Sequence, residues 1–188
     1  MDYAVLLSRS ADFSPFLGPL DTAYPSKATQ QLGFDLVQML WDRAEADGYA
    51  EQMTGGLPGT PSHQILLEEA FGDHQVANIM TETEARTVGA VIREPALSKR
   101  RSNEREPFWD LAPLRHGSKG PALTVWDSGV PPAPKTDTPP TEGPDPHDTV
   151  PRTVPAFWRQ MNTFFTTGKV MDPCGNGPCK APHPPSSS

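Results

Sequence analysis

Two residues carry the chemistry this sequence can offer. Asp73 follows Gly72 directly behind an apolar run, with Val76 three residues on and a helical pattern after that. His147 lies in the loop between the next clear strand pattern and the last helix. A carboxylate beside an imidazole fixes the ring's tautomer and stabilises its protonated form, which is the acid–base half of nucleophilic catalysis. In α/β sheets such groups gather where strands finish. Each residue also has a plainer reading, Asp73 as the cap of the following helix and His147 as a surface histidine. His74 reads as a turn residue or pocket wall, and Trp126, on the strand before the histidine loop, as a second pocket residue.

Metal chemistry is not expected. His63, Asp73, His74 and His147 follow no zinc spacing, and Cys174 and Cys179 form a single pair with no second pair to complete a site. The four residues between them, Gly175, Asn176, Gly177 and Pro178, make the short loop a local disulfide needs in an oxidising compartment. A bridge is expected, with two free thiols as the other reading. No cofactor motif is present.

The elements that must position these residues follow from periodicity. Leu32, Leu36, Val37, Leu40, Trp41 and Ala44 repeat at helical spacing over 27–47, with Gly48 at the end, which predicts an amphipathic helix covering a core. Pro15, Pro19 and Pro25 limit 2–24 to short helices or turns. The run 63–70 suits a buried strand, 78–88 a helix closed by Gly89, and 90–93 an extended segment, together a β-turn-α-β unit of a parallel sheet. Residues 94–120 read as a charged surface excursion. The stretch 122–127 is the next strand, and 155–167 the last helix. That helix has Pro155 in its first turn, an apolar face of Phe157, Trp158, Met161, Phe164 and Phe165, and Gly168 just past its end. Residues 181–188 read as a flexible tail.

Composition bounds the rest. A chain of 188 residues suits one domain. Of 23 prolines, 6 precede residue 107 and 17 follow from Pro107 onward, so the second half is far stiffer than the first. Sixteen Lys and Arg against 23 Asp and Glu leave a net charge of −7, and the basic run of Lys99, Arg100, Arg101 and Arg105 is diluted by Glu104 and Glu106, so no nucleic-acid partner is expected. No apolar run approaches the ~20 residues needed to span a bilayer. The first nine residues lack the basic start and long apolar stretch of a signal peptide. Within 130–146, Pro131, Pro132, Pro134, Pro139, Pro140, Pro144 and Pro146 exclude helix and central strand. Such a segment is either pinned across a surface or offered to a partner as polyproline II, with Phe108 and Trp109 as a second exposed anchor.

The stretch from Ile65 to Val76 with its Gly72-Asp73 turn, followed by the helix closing at Val88-Gly89, resembles the triad-acid segment of α/β-hydrolases. Asp145-Pro146-His147 and the helix ending at Gly168 resemble the loop that presents the catalytic histidine and the helix behind it, and the trailing cysteines are similar to those of secreted bacterial esterase- or lipase-like proteins. The resemblance covers most of 48–179. It implies an α/β fold that is the C-terminal portion of an α/β-hydrolase, a small mainly parallel sheet flanked by helices and incomplete without upstream strands. Residues 1–180 would form that partial domain, with 1–60 a helical or irregular cap or connecting region and 61–180 the C-terminal strands and helices. Asp73 would be the triad acid and His147 the base, acting on a small-molecule ester or acyl substrate in the parent protein, which would be extracytoplasmic or secreted.

The departure is the nucleophile. This superfamily carries serine in a Gly-x-Ser-x-Gly elbow, and no such motif occurs here. Ser62, in Gly59-Thr60-Pro61-Ser62-His63, lacks the second glycine and precedes a strand. The chain alone is therefore expected to be inactive, two thirds of a triad. The reading from another class is a non-catalytic exported binding or structural domain with the same fold.

Overall fold

The computed structural model describes residues 3–116 and 118–185. Three helices come first, α1 (Tyr3–Arg9), α2 (Ser14–Ala23) and α3 (Lys27–Trp41), with short 3-10 turns at Ala11–Phe13 and Asp47–Gln52. Then follow β1 (Leu66–Ala70), α4 (Asn78–Thr87), β2 (Val91–Ile92), β3 (Ala112–Pro113), β4 (Ala122–Asp127), α5 (Thr149–Thr153), α6 (Pro155–Thr167) and β5 (Cys179–Lys180).

The result is mixed α/β, a parallel sheet with helices packed on it. β4 is the centre and is buried at every position, as its continuous apolar and β-branched run requires of a strand covered on both faces. Its first edge pairs in parallel along β1, from Leu66 opposite Ala122 to Ala70 opposite Trp126. Its second edge is shared: β2 pairs with the start, at Ala122 and Leu123, and β5 with the end, at Trp126 and Asp127. β3 adds beyond β2, again in parallel. β1, β3 and the short β5 each pair on one side only.

Burial divides between the two faces. On one, Leu123 and Val125 pack with Ile92, Ala85, Val88 and Phe71 under α4. On the other, Trp126 packs with Val150, Val154, Phe157 and Cys179. Gln160, fully buried in α6, joins that helix to the sheet by donating to Thr124 Oγ1 at 2.9 Å and Met171 O at 3.0 Å. The α6 face is narrower than its sequence suggests: Phe157 and Phe164 are buried, while Trp158 and Phe165 point to solvent at 55% and 74% exposure. Gly168 ends the helix in the left-handed conformation, as expected.

The N-terminal part departs most from its pattern. α2 runs through Pro19, losing one ladder hydrogen bond without ending. α3 stops at Trp41, and Gly48 is no C-terminal cap; a Cβ there would lie 2.1 Å from Asp42 O, so the position needs glycine for close approach. The leucine stripe of α3 does not cover a core. Leu32, Leu36, Met39 and Leu40 are exposed, while Gln30 and Gln38 are buried. The reason is a set of fixed amides: Gln38 Oε1 accepts from Tyr3 N at 2.7 Å, and its Nε2 donates to Asp42 and Asp47 at 2.8 and 3.1 Å. Gln30 Nε2 donates to Asp21 Oδ1 at 2.8 Å and Tyr24 O at 2.6 Å. Hydrogen bonding orients this helix with its polar side inward.

Residues 94–120 are more than an excursion, since they contain β3 and the buried Leu111. Phe108 packs on the core, while Trp109 stays exposed under the Arg86 guanidinium at 4.7 Å. The C-terminal end is fastened further than a loose tail would be: Ala181 N donates to Asp127 O at 3.1 Å and Pro184 is buried. Residues 186–188 of the expected tail lie outside the described residues. No helix among the described residues is long and apolar enough to cross a membrane.

Candidate functional site

β1 and β4 run side by side in the same direction, so the turn leaving β1 and the loop leaving β4 emerge at one end of the sheet. The β1 turn is tightly specified. Gly72 has φ +83°, and a Cβ on it would meet Pro131 O at 2.5 Å, so only glycine fits there. Asn78, the first residue of α4, clasps the turn by accepting from Gly72 N and donating to Ala70 O, both at 2.8 Å. Asp73 Oδ1 then accepts from Gln75 N at 2.7 Å and Val76 N at 2.9 Å, which aims its second oxygen away from the turn.

That second oxygen, Oδ2, lies 2.8 Å from Nδ1 of His147. The structure thus brings together the aspartate and the histidine, 74 positions apart in sequence. Asp73 is buried, at 6% exposure, while the imidazole is 35% exposed, so one ring nitrogen is held and the ring still reaches solvent. The hydrogen bond with Asp73 is the main cause of a raised His147 pKa; burial opposes it, and the charges of Asp73, Asp145 and Asp148 add to it.

The proline-rich segment leading to His147 is pinned. Val130 and Pro146 are fully buried, Ser8 Oγ donates to Asp137 Oδ1 at 2.6 Å, and Asn103 Nδ2 donates to Ala133 O at 2.9 Å. Arg101 donates to Val130 O and pairs at 2.9 Å with buried Asp127, which Lys180 also reaches at 2.6 Å. These contacts fix the path of the chain out of β4.

His147 stands between two cavities. One, of about 240 Å³, is bounded by Glu68, Glu69, Asp73, Val150 and Phe157 beside the outer strand β1. The other, of about 450 Å³, is bounded by Leu6, Leu7, Phe13 and Val76 under α1. Glu68 Oε1 and both carboxyl oxygens of Glu69 are buried without hydrogen-bond partners. Burial pushes the Glu68 carboxyl up to about 8 despite the donated indole N–H of Trp126, and Glu69 is raised by burial together with the charges of Glu82, Asp73 and Glu104.

The remaining sequence candidates fall elsewhere. Trp126 is 1% exposed and packs in the core, where its Nε1 donates to Glu68 Oε2 at 2.7 Å; a residue so enclosed walls no solvent-open pocket, which corrects that expectation. His74 is buried in the turn, its backbone O accepting from Ala11 N at 2.7 Å. Ser62 precedes β1 and Asp73 follows it, so the five residues of that strand, at ~3.3 Å each, put the serine at the far end of the sheet. Cys174 and Cys179 are joined by a disulfide. No group of three or more His, Cys, Asp or Glu side chains among the described residues is arranged to hold a metal ion. Sequence reasoning missed Asn78 and Gln75 as site-shaping residues. An amide at the first position of a helix behind a Gly-Asp turn is the signal that was available for Asn78.

Fold and site together define an α/β protein carrying an acid–histidine pair at the C-terminal ends of two adjacent parallel strands. No family model, curated protein or solved structure matches this chain.

Proposed function

We propose that this chain supplies the acid and the base of a Ser-His-Asp triad in an α/β-hydrolase-type esterase or acyl hydrolase, with the nucleophile carried by polypeptide outside these residues. The observation that carries this reading is the 2.8 Å contact of Asp73 Oδ2 with His147 Nδ1 beyond the ends of β1 and β4. Asp73 holds the ring so that its other nitrogen takes the proton of an attacking hydroxyl and later returns it to the leaving group. β4 has both edges occupied, so a strand bringing the serine would add along β1, next to the cavity that His147 borders. The Cys174–Cys179 disulfide supports an extracytoplasmic site of action, since such bonds persist in oxidising compartments.

Without a nucleophile and an oxyanion site there is no acyl transfer, so the isolated chain should not turn over p-nitrophenyl butyrate. The test is the same assay after the chain is joined to, or mixed with, the polypeptide encoded upstream of it. Hydrolysis and fluorophosphonate labelling should appear, and His147→Gln should lower kcat by about 10⁶-fold. Failure to hydrolyse or label in every such combination sinks the proposal.

A second reading, an exported binding or structural domain, is favoured by one observation. α3 presents Leu32, Leu36, Met39 and Leu40 to solvent, an apolar surface of the kind that marks interaction sites. Retention of that role by a protein lacking His147 would distinguish it.

A further inference from the structure

The 2.8 Å contact of Asp73 with His147 joins two loops that no backbone ladder holds together. The last backbone contact of β1 with β4, Phe71 N donating to Trp126 O at 2.9 Å, lies two residues before Asp73 but well short of His147. A second carboxylate spans the gap. Asp145 Oδ1 accepts from His147 N at 3.0 Å and from His74 N at 3.2 Å, and its Oδ2 accepts from Gln75 Nε2 at 2.8 Å. One carboxylate therefore binds the histidine loop through a backbone N–H and the acid turn through a backbone N–H and a side-chain amide.

The arrangement is reciprocal. Asp73 fastens its own turn through Gln75 N and reaches across to the His147 ring, while Asp145 fastens its own loop through His147 N and reaches back to His74 and Gln75. Pro146 lies between Asp145 and His147 and is fully buried; its fixed φ presets the bend by which an aspartate meets the N–H two residues on. Asp145 is half-buried, and hydrogen bonds accepted by an ionised carboxylate are charge-assisted and stronger than neutral ones.

We infer that Asp145 is a positioning residue that clasps the turn of Asp73 to the loop of His147 and so sets their contact. The assignment rests on the triad reading only for its functional meaning; the clasp itself is a statement about His147 in this chain. Burial works to raise the Asp145 pKa, but the donors from Gln75, His147 and His74 outweigh it and hold the group below the usual carboxylate range. It thus stays ionised across the range in which His147 titrates.

The charged groups facing His147 are Asp73, Asp145 and Asp148, the last paired with Arg152 at 2.8 Å. Glu68 and Glu69 border the cavity on one side of the ring, and Asp12 the cavity on the other. Removing Asp145 changes both a charge and a position, and two further variants separate these. Asp145→Asn removes the charge and keeps an acceptor oxygen. Gln75→Ala keeps the charge and cuts one limb of the clasp.

The experiment is an NMR pH titration of histidine in the full chain, with Trp126 indole N–H as the marker of an intact fold. The midpoint of His147 should fall toward the ordinary value of about 6.5 in the order Gln75→Ala, Asp145→Asn, Asp145→Ala, the last by the most. The Asp73-bonded Nδ1–H resonance should broaden in the same order. Equal midpoints for Asp145→Asn and Asp145→Ala, with Gln75→Ala unchanged, would show a charge effect alone and overturn the clasp. Should Asp145→Ala not fold, Gln75→Ala against wild type decides the matter. Because none of these readouts needs a nucleophile, a moved midpoint with no hydrolysis in the joined protein would uphold the clasp and reject the hydrolase. Where hydrolysis is present, Asp145→Ala should lower kcat with KM unchanged, and Asp145→Asn should recover part of it.

Discussion

His147 Nδ1 and Asp73 Oδ2 meet at 2.8 Å, one from a half-exposed loop and the other from a buried turn. Because the hydrogen bond with Asp73 raises the histidine's pKa, the pair contributes stability with a defined pH sense. The contribution is complete below the unfolded value of about 6.5 and is lost as pH rises through the higher folded value. Asp73→Asn keeps the oxygen that caps Gln75 and Val76 but removes the charge. Urea unfolding of the two proteins should therefore differ most at about pH 5 and least at about pH 9. A difference that grows with pH would show that His147 is not stabilised as an imidazolium by Asp73.

Glu68 gives an independent pH dependence. Its carboxyl, raised to about 8 by burial against the opposing Trp126 hydrogen bond, stays protonated in the fold while the unfolded chain has already ionised. Protons bound by the native state and absent from the unfolded one make stability fall with rising pH, here from the ordinary glutamate value of about 4.3 up to about 8. Glu82, raised to about 7 chiefly by burial and then by Glu104, acts in the same sense. Glu68→Gln retains an acceptor for Trp126 Nε1 and cannot ionise. It should stabilise the protein by about 1–3 kcal/mol near pH 8 and leave it nearly unchanged near pH 5. Urea midpoints across that range provide the check, and a flat difference would remove Glu68 as the source.

The extent to which this architecture is legible in sequence depends on how local each feature is. β4 is readable because a strand buried on both faces must be written as an unbroken apolar and β-branched run. The Gly72-Asp73 turn is readable because glycine and aspartate act within a few residues of themselves. The order of strands is not, since β4, far along the chain, inserts between β1 and β2. β5 is two residues long and offers no period. Asp145 was visible only as part of a short Asp-Pro-His word; its bonds to His74 and Gln75 cross 71 and 70 positions and leave no pattern. Glu68 and Glu69 lie on the expected strand, yet nothing in a glutamate pair announces that Glu69 will be buried and that Glu68 Oε1 will be shut off from solvent.

The disulfide can be tested against its surroundings. The Cys174–Cys179 loop is also held by Arg93, whose side chain is 1% exposed, pairs with Asp172 at 2.9 Å and donates to Gly175 O. Asp172 in turn accepts from Cys174 N at 2.9 Å and Gly175 N at 3.2 Å. A bridge closing so short a loop contributes about 2 kcal/mol through the unfolded chain. Reduction or the double Cys→Ser variant should therefore destabilise the protein by about that amount or less and leave the His147 titration in place. Arg93→Met should cost more, about 3 kcal/mol, because it removes at once the donors to Asp172, Pro95 O and Gly175 O from a side chain that is itself buried. If the order of the two losses is reversed, the bridge rather than Arg93 holds this loop.

α3 shows where periodicity identifies an element and misplaces its face. The leucines predict a helix, and the helix is there, but a stripe of apolar side chains does not state which side is docked. That is decided by Tyr3, whose N–H is accepted by Gln38 Oε1 at 2.7 Å and whose ring meets Trp41 edge-on at 4.9 Å. Two opposite kinds of substitution follow from this orientation. Leu36→Glu and Met39→Lys alter exposed positions, at 57% and 66% exposure, and should change stability by no more than about 0.5 kcal/mol. Gln38→Ala removes the acceptor of Tyr3 N and a donor to Asp42 and to Asp47, and should cost about 1–3 kcal/mol. Equilibrium urea unfolding of the three variants ranks them directly. A larger loss for the leucine or methionine than for the glutamine would mean that the apolar stripe is turned inward in solution.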